Sequence, residues 1–321
     1  MAEYSQIKGS KIKILASDPS DPASGQIWYN TTSSSLKYGQ TNTTGTWASG
    51  GNLGTARGWL GGAGIQTAGL AIGGYDTTYL NATEEYDGSA WTAGGNLGTA
   101  RSLLAGAGTQ TAGLAIGGDV GSGATEEYDG ASWTAGGNMG TSRYTLAGAG
   151  TQTAGLGFGG GPLYDGLTAT EEYDGSSWTA GGNLGTARSF ISGDGTQTAA
   201  LGFGGYTGMS AVTDATEEYN GTSWTAGGNL STGRYCLAGA GTQTAGLAFG
   251  GDDGTGFSAV TEEYDGSSWT AGGNLATARG YLSGTGTQAA GLAFGGYYPT
   301  TASTEEYTGP GAIISNTITT S

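Results

Sequence analysis

One arginine-bearing frame recurs six times in this chain, and that repetition limits the available folds more than any other feature. Arg57, Arg101, Arg143, Arg188, Arg234 and Arg279 follow one another at spacings of 44, 42, 45, 46 and 45 residues. A Thr-Glu-Glu-Tyr tetrapeptide ends at Tyr86, Tyr128, Tyr173, Tyr219, Tyr264 and Tyr307, and a tryptophan falls at Trp47, Trp91, Trp133, Trp178, Trp224 and Trp269. Repeats of this length mark an array of similar supersecondary units, none of which buries its apolar face alone. The markers are out of phase: Trp47 precedes the first arginine, and no tryptophan follows Tyr307.

Within a repeat the pattern is strand-like. In the second copy "SLLAGAG" (102–108) leads through a turn to "TAGLAIGG" (111–118), and a loop leads on to "ATEEYDG" (124–130) and "ASWTAGGN" (131–138). Asp129-Gly130, set between two short extended segments, predicts a hairpin because glycine accepts positive φ freely. The chain holds 69 glycines, and each would cost a helix interior roughly 1 kcal/mol, so helix is disfavoured. A collagen-like or disordered glycine-rich chain is ruled out by the missing Gly-X-Y period and by the regular Trp, Tyr and Leu/Phe set in each copy.

Four strands per repeat, here called A (after the arginine), B (before the double glycine), C (Glu-Glu-Tyr) and D (tryptophan), predict an all-β, six-bladed β-propeller. The last copy has A, B and C but lacks D, while the Trp47 segment is a D without the rest. Pairing of the Trp47 and Tyr307 strands would complete six blades, close the ring and remove a free sheet edge.

The double glycine after strand B, the "EEYDG" strand, the tryptophan and the arginine opening the next repeat occur in the order of the kelch family of β-propellers, which residues 47–309 resemble. The match departs at the C–D turn, where "YDGSSW" is shorter than the usual kelch spacing and lacks its proline. The repeated residues read as frame. The tryptophans are large enough to pack between neighbouring blades. The six arginines, identical in every copy, have a partner in Glu171 and its equivalents, which share a strand face with the tyrosine two residues on.

Charge narrows the partners. The formal net charge is −16, and all four lysines lie within the first 37 residues. Beyond residue 46 six arginines face 23 acids, a surface expected to repel nucleic acid and anionic membrane. No run approaches transmembrane length and none reads as a signal peptide. The single Cys236 excludes an intrachain disulfide. No cofactor and no metal is expected, and the reading is non-enzymatic. A copper radical oxidase of the galactose-oxidase type needs histidine, and the chain has none. "YDGSSWT" resembles a sialidase Asp-box only superficially, since its Asp–Trp separation is four and its glycine directly follows the aspartate. Carboxylate-pair hydrolysis is the remaining enzyme option, drawing on the non-repeated acids Asp76, Asp119, Asp165, Asp194, Asp214, Asp252 and Asp253. Asp252–Asp253 with Gly254 is a candidate cation loop, although its spacing fits no EF-hand.

The copies differ mainly in the B–C loops and just after each arginine. Those positions supply the candidate recognition residues Trp59, Tyr75, Tyr79, Tyr144, Tyr164, Phe190, Tyr206, Tyr235, Tyr281, Tyr297 and Tyr298. In an antiparallel four-stranded blade the B–C loop and the D–A connection emerge on one face. Tyrosine combines a broad apolar ring with a hydroxyl, suited to sugars or protein surfaces.

The ends are a different text. "ASDPSDPASGQIWYNTTSSSLKYG" (16–39) holds a proline-bearing lead and a predicted hairpin from Ile27–Asn30 to Leu36–Tyr38. It resembles a segment of tailed-bacteriophage virion proteins, especially tail and fibre proteins, in which a "GQIWYN" run leads into an "LK" strand. The resemblance implies a virion component assembled in the bacterial cytoplasm. The expected organisation is an attachment arm over 1–46, a propeller over 47–309 and a β-prone tail over 310–321. The arm would bind other virion proteins and the loop face a host-surface glycan or protein, with homo-oligomerisation left open. A tail-fibre or adhesin role is preferred to a capsid-surface decoration. A cytoplasmic kelch-like interaction module competes with the virion role, and a carbohydrate-active enzyme comes third.

Overall fold

The computed structural model describes residues 12–19, 23–119, 123–161, 165–208, 211–311 and 313–318. The chain divides into two compact units, Met1–Gly45 with Gly309–Ser321, and Thr46–Thr308.

The larger unit is built of six four-stranded antiparallel sheets, blade-like and nearly identical. In the third repeat strands A to D are Ala147–Thr151, Ala154–Phe158, Thr170–Tyr173 and Trp178–Ala180. Their register places Ala147 beside Phe158, Phe158 beside Thr170 and Tyr173 beside Trp178. Strand B is buried at four successive residues, Gly155 to Phe158, and D is largely exposed. A central strand covered on both faces loses the polar alternation of a half-exposed one. In the last sheet Ser283–Thr287, Ala290–Phe294 and Thr304–Thr308 are joined by Thr46–Ser49, with Tyr307 opposite Trp47.

The Asp-Gly hairpin is present: Thr125–Tyr128 and Trp133–Ala135 run antiparallel, and Gly130 takes φ 90°. Asp129 to Ser132 form a four-residue loop, in which Asp129 Oδ1 accepts from the amides of Ala131 (2.9 Å) and Ser132 (2.7 Å). The Asp129 amide also donates to the Ser132 carbonyl (3.2 Å), so side chain and backbone together close the turn.

The repeated arginine, glutamates, tyrosine, tryptophan and glutamine tie each repeat together or join it to its neighbour. Arg143 is buried and its Nη2 donates to Glu171 Oε1 (3.0 Å) and to the Gly157 carbonyl (3.1 Å). The other five arginines pair in the same way with Glu84, Glu126, Glu217, Glu262 and Glu305. The second glutamate of each tetrapeptide serves the next sheet: the Tyr173 hydroxyl donates to Glu127 Oε1 across 2.6 Å. Trp178 Nε1 reaches back to Thr125 Oγ1 (2.8 Å), and Gln197 Nε2 to the carbonyls of Gly155 and Tyr173. The first and last repeats make the same contacts: Trp91 Nε1 to Thr304 Oγ1 (2.9 Å) and Gln66 Nε2 to the Tyr307 carbonyl (2.7 Å).

In the smaller unit Lys13–Leu15, Ile27–Asn30, Ser35–Thr41 and Ile313–Thr317 form one sheet, parallel in its first pair and antiparallel thereafter. Asp18 organises it. Its Oδ1 accepts from Trp28 Nε1 (3.0 Å) and Asn30 Nδ2 (2.7 Å), and its Oδ2 lies 3.9 Å from Lys37 Nζ. Trp28 is fully buried. The residues of the "DP…GQIWYN…LK" run therefore meet one another in space. The tail, whose role the sequence leaves open, supplies a strand beside Ser35–Thr41.

Candidate functional site

The site begins with a backbone conformation. Two residues after each arginine the chain turns left-handed, at Trp59, Leu103, Thr145, Phe190, Cys236 and Tyr281, with φ between 50° and 59°. For bulky or β-branched residues this region costs of order 1–3 kcal/mol, and it persists only where the surroundings enforce it. Here hydrogen bonds enforce it. The amide of Leu103 donates to the Trp59 carbonyl (2.7 Å), Thr145 to Leu103 (3.0 Å), Cys236 to Phe190 (3.3 Å), Tyr281 to Cys236 (2.9 Å) and Trp59 to Tyr281 (2.9 Å). Glycine takes the positive-φ positions after strand B throughout, for example Gly117 and Gly118, yet it takes none of these six. The backbone is constant there while the side chain changes from copy to copy.

A second set of contacts gathers the variable loops. The residue after the arginine pairs with the first residue of its own B–C loop, as in Gly58 with Tyr75, Tyr144 with Gly161, Ser189 with Tyr206, Tyr235 with Asp252, and Gly280 with Tyr297. The two variable segments of a repeat thus lie side by side.

Their rings form one network. Trp59 stacks at a tilt on Tyr297 (centroids 4.4 Å apart) and Tyr75 (5.3 Å), and Tyr75 meets Tyr79 edge-on. Tyr206 and Tyr235 lie 4.1 Å apart, with Phe190 at the edge of both. Tyr281 joins the two groups, touching Trp59, Phe190 and Tyr235. Tyr298 packs on Tyr297 and with Tyr79 is the most exposed member, at 60 % and 48 % of its surface. Edge-to-face and tilted pairs at these distances each add about 0.5–1.5 kcal/mol beyond simple burial.

Nine of the eleven sequence candidates belong to this network. Tyr144 sits half-buried at the corresponding bridge of the third repeat, and Tyr164 lies outside the described residues. Sequence reasoning missed Phe257, which meets Tyr281 edge-on. It also missed Leu103, Thr145 and Cys236 as members of the left-handed set; their constant distance from the arginine was the available signal.

Two hydroxyls at the centre of the network hold their protons tightly. Burial first, then for Tyr235 its hydrogen bond with Tyr206 and for Tyr281 its neighbours Cys236 and Tyr235, push the Tyr235 and Tyr281 hydroxyls well above the ordinary tyrosine range. Burial likewise pushes the Cys236 thiol up, which makes it a weak donor and a poor nucleophile.

Four loop acids are engaged by nearby amides and hydroxyls. Asp76 accepts from the amides of Thr77 and Thr78, and those bonds hold its carboxyl below the usual range. Asp253 Oδ1 accepts from the Thr255 hydroxyl (2.6 Å) and amide (2.8 Å), and Asp252 Oδ1 from the Gly254 amide (2.8 Å). Asp119 holds the amide and hydroxyl of Ser102. Among the described residues no group of three or more His, Cys, Asp or Glu is placed to hold a metal ion.

Comparison with models of known protein families found no match, and comparison with curated proteins found none.

Proposed function

We propose that Thr46–Thr308 is a six-bladed kelch-like propeller and that the chain is a non-enzymatic bacteriophage virion protein of the tail-fibre or adhesin type. The Tyr307–Trp47 register supports ring closure, as do the contacts of Trp91 with Thr304 and of Tyr86 with Glu306, which repeat at the first–last junction the interlock found elsewhere.

The observation that carries recognition is the left-handed set. In a glycine-rich chain, six strained positions retain Trp, Leu, Thr, Phe, Cys and Tyr, and four of these side chains lie in or against the aromatic network. Strain kept with variable side chains suits a display surface better than a frame. Stacked, partly exposed tyrosines match the faces of sugars or an apolar protein patch.

The attachment role of the smaller unit rests on the virion-like run, whose residues converge on Asp18. A glycan array and binding to host cells test recognition. Retained binding in Trp59→Ala and Tyr297→Ala would remove the aromatic face from the reading. Antibody labelling of intact particles tests placement: label on the tail supports the adhesin role, label on the head supports a capsid decoration, and an unlabelled particle overturns the virion assignment.

A further inference from the structure

We propose that Asp194 makes the cavity between the A strands a binding site for a primary ammonium group. The six A strands, from Trp59–Gly64 round to Tyr281–Gly286, line a cavity of about 240 Å³. Its walls are mostly Gly, Ala, Leu, Ser and Thr. Asp194 is the one formally charged side chain among the lining residues. At the same strand position the other repeats carry Ala63, Ala107, Ala149, Ala240 and Thr285, so the carboxylate is a single departure from a repeated frame of small residues.

One oxygen of the carboxylate is unmet, on a residue that is itself half-buried. Asp194 Oδ2 is buried with no hydrogen-bond partner. It lies against the next A strand at Gly239, where a Cβ would stand only 2.3 Å away. The arginines are committed elsewhere, the nearest in sequence, Arg188, being paired with Glu217 at 2.8 Å. The other titratable lining groups, Cys236 and Tyr281, sit at the arginine end of their strands and bond to each other. An ionised carboxylate with an enclosed, unpartnered oxygen and no counter-charge is disfavoured, so it takes up either a proton or a cation.

The chemistry selects the cation. Metal ions ask for several oxygen or nitrogen ligands, and among the described residues no such group is assembled. A primary ammonium asks for less: one carboxylate for its charge and hydroxyls or water for its remaining N–H donors. Ser192 lies two residues before Asp194 on the same strand and also lines the cavity. Burial holds the Asp194 carboxyl up at about 8. Ammonium binding therefore displaces the carboxyl proton to solvent and strengthens as pH rises towards that value.

Thermal unfolding of the whole chain tests this, just above the pH at which Asp194 ionises and at equal ionic strength. Ammonium or methylammonium chloride should raise the midpoint above that in sodium or tetramethylammonium chloride. Nα-acetyl-lysine amide provides a side-chain source of the same head group; a rise with it or with the small ions supports the site. Asp194→Ala installs the residue that four sister repeats already carry, and it should abolish the difference while folding normally. Equal midpoints in all salts would overturn the proposal, and so would a difference that persists in Asp194→Ala or in the isosteric Asp194→Asn.

Discussion

The Tyr86 hydroxyl donates to Glu306 Oε1 across 2.5 Å, although 220 residues separate the two. The same bond joins Tyr128 to Glu85, Tyr173 to Glu127, Tyr219 to Glu172 and Tyr264 to Glu218, each with a partner only 43 to 47 residues back. Local and remote versions have the same geometry, so they allow the first–last junction to be weighed against an internal one. Tyr86→Phe and Tyr173→Phe should each lower stability by about 1.5–3 kcal/mol, the range for a hydrogen bond to a charged group. Urea unfolding checks it. A loss in Tyr173→Phe without one in Tyr86→Phe would mean that the junction is open in solution.

Much of the frame can be read from the amino acids because each marker has one job in every copy. The pairing of arginine with the first glutamate follows from strand faces, since Glu171 and Tyr173 are two residues apart. The task of Glu127 does not, because its partner Tyr173 belongs to the next sheet. The Asp129-Gly130 hairpin is legible because glycine supplies the positive φ; the bonds that the Asp129 carboxylate makes to the next amides are the part the pattern does not announce. Trp59, Tyr281 and the loop tyrosines can be picked out by comparing copies. The left-handed backbone beneath them cannot, because the chain puts Thr145 and Leu103 where φ would suggest glycine. Asp194 stands out as a non-repeated acid, but only the packing of the A strands reveals that its Oδ2 is enclosed.

Arg188 is fully buried with Glu217 and also donates to the carbonyls of Gly204 (3.2 Å) and Ala215 (2.8 Å). Arg188→Ala should cost about 3–5 kcal/mol, because Glu217 is left as a buried charge without its partner. Arg188→Lys keeps the charge but loses the planar fork, and should fall between the two. Denaturant midpoints of the three proteins check the order.

Burial, followed by the hydrogen bonds to glutamate, pushes the hydroxyls of Tyr86, Tyr128, Tyr173, Tyr219 and Tyr264 up to about 12. The ordinary value is 10.0, so the folded state holds these protons more tightly than the unfolded one. Their contribution to stability is therefore complete below about 10 and is lost as pH rises through about 12. Ultraviolet titration of phenolate should show these tyrosines silent until the protein unfolds. Their titration at the ordinary value in the folded protein would contradict the interlock.

Asp194 works in the opposite part of the scale. Its carboxyl is raised from 3.8 to about 8 by burial, so the folded state again favours the protonated form. The stability this group contributes is complete below about 3.8 and is lost as pH climbs towards 8. Asp194→Ala should flatten that part of the stability–pH curve, most visibly near neutrality. An unchanged slope would place the carboxylate in contact with water.

Thr145 separates display from packing. It is a β-branched residue at φ 59°, with a buried Oγ1 that lacks a partner. Both features cost the folded state, the backbone of order 1–3 kcal/mol and the hydroxyl about 1–3 kcal/mol. Glycine would relieve both, offset by the lost packing of a small side chain and by added freedom in the unfolded chain. Thr145→Gly should therefore leave stability unchanged or raise it by about 1 kcal/mol, measured as a shift in the urea midpoint. The hydrogen bond from its amide to Leu103 should survive in amide exchange. A loss above about 2 kcal/mol would show that the left-handed residues are retained for packing, and would leave the tyrosines alone as the display surface.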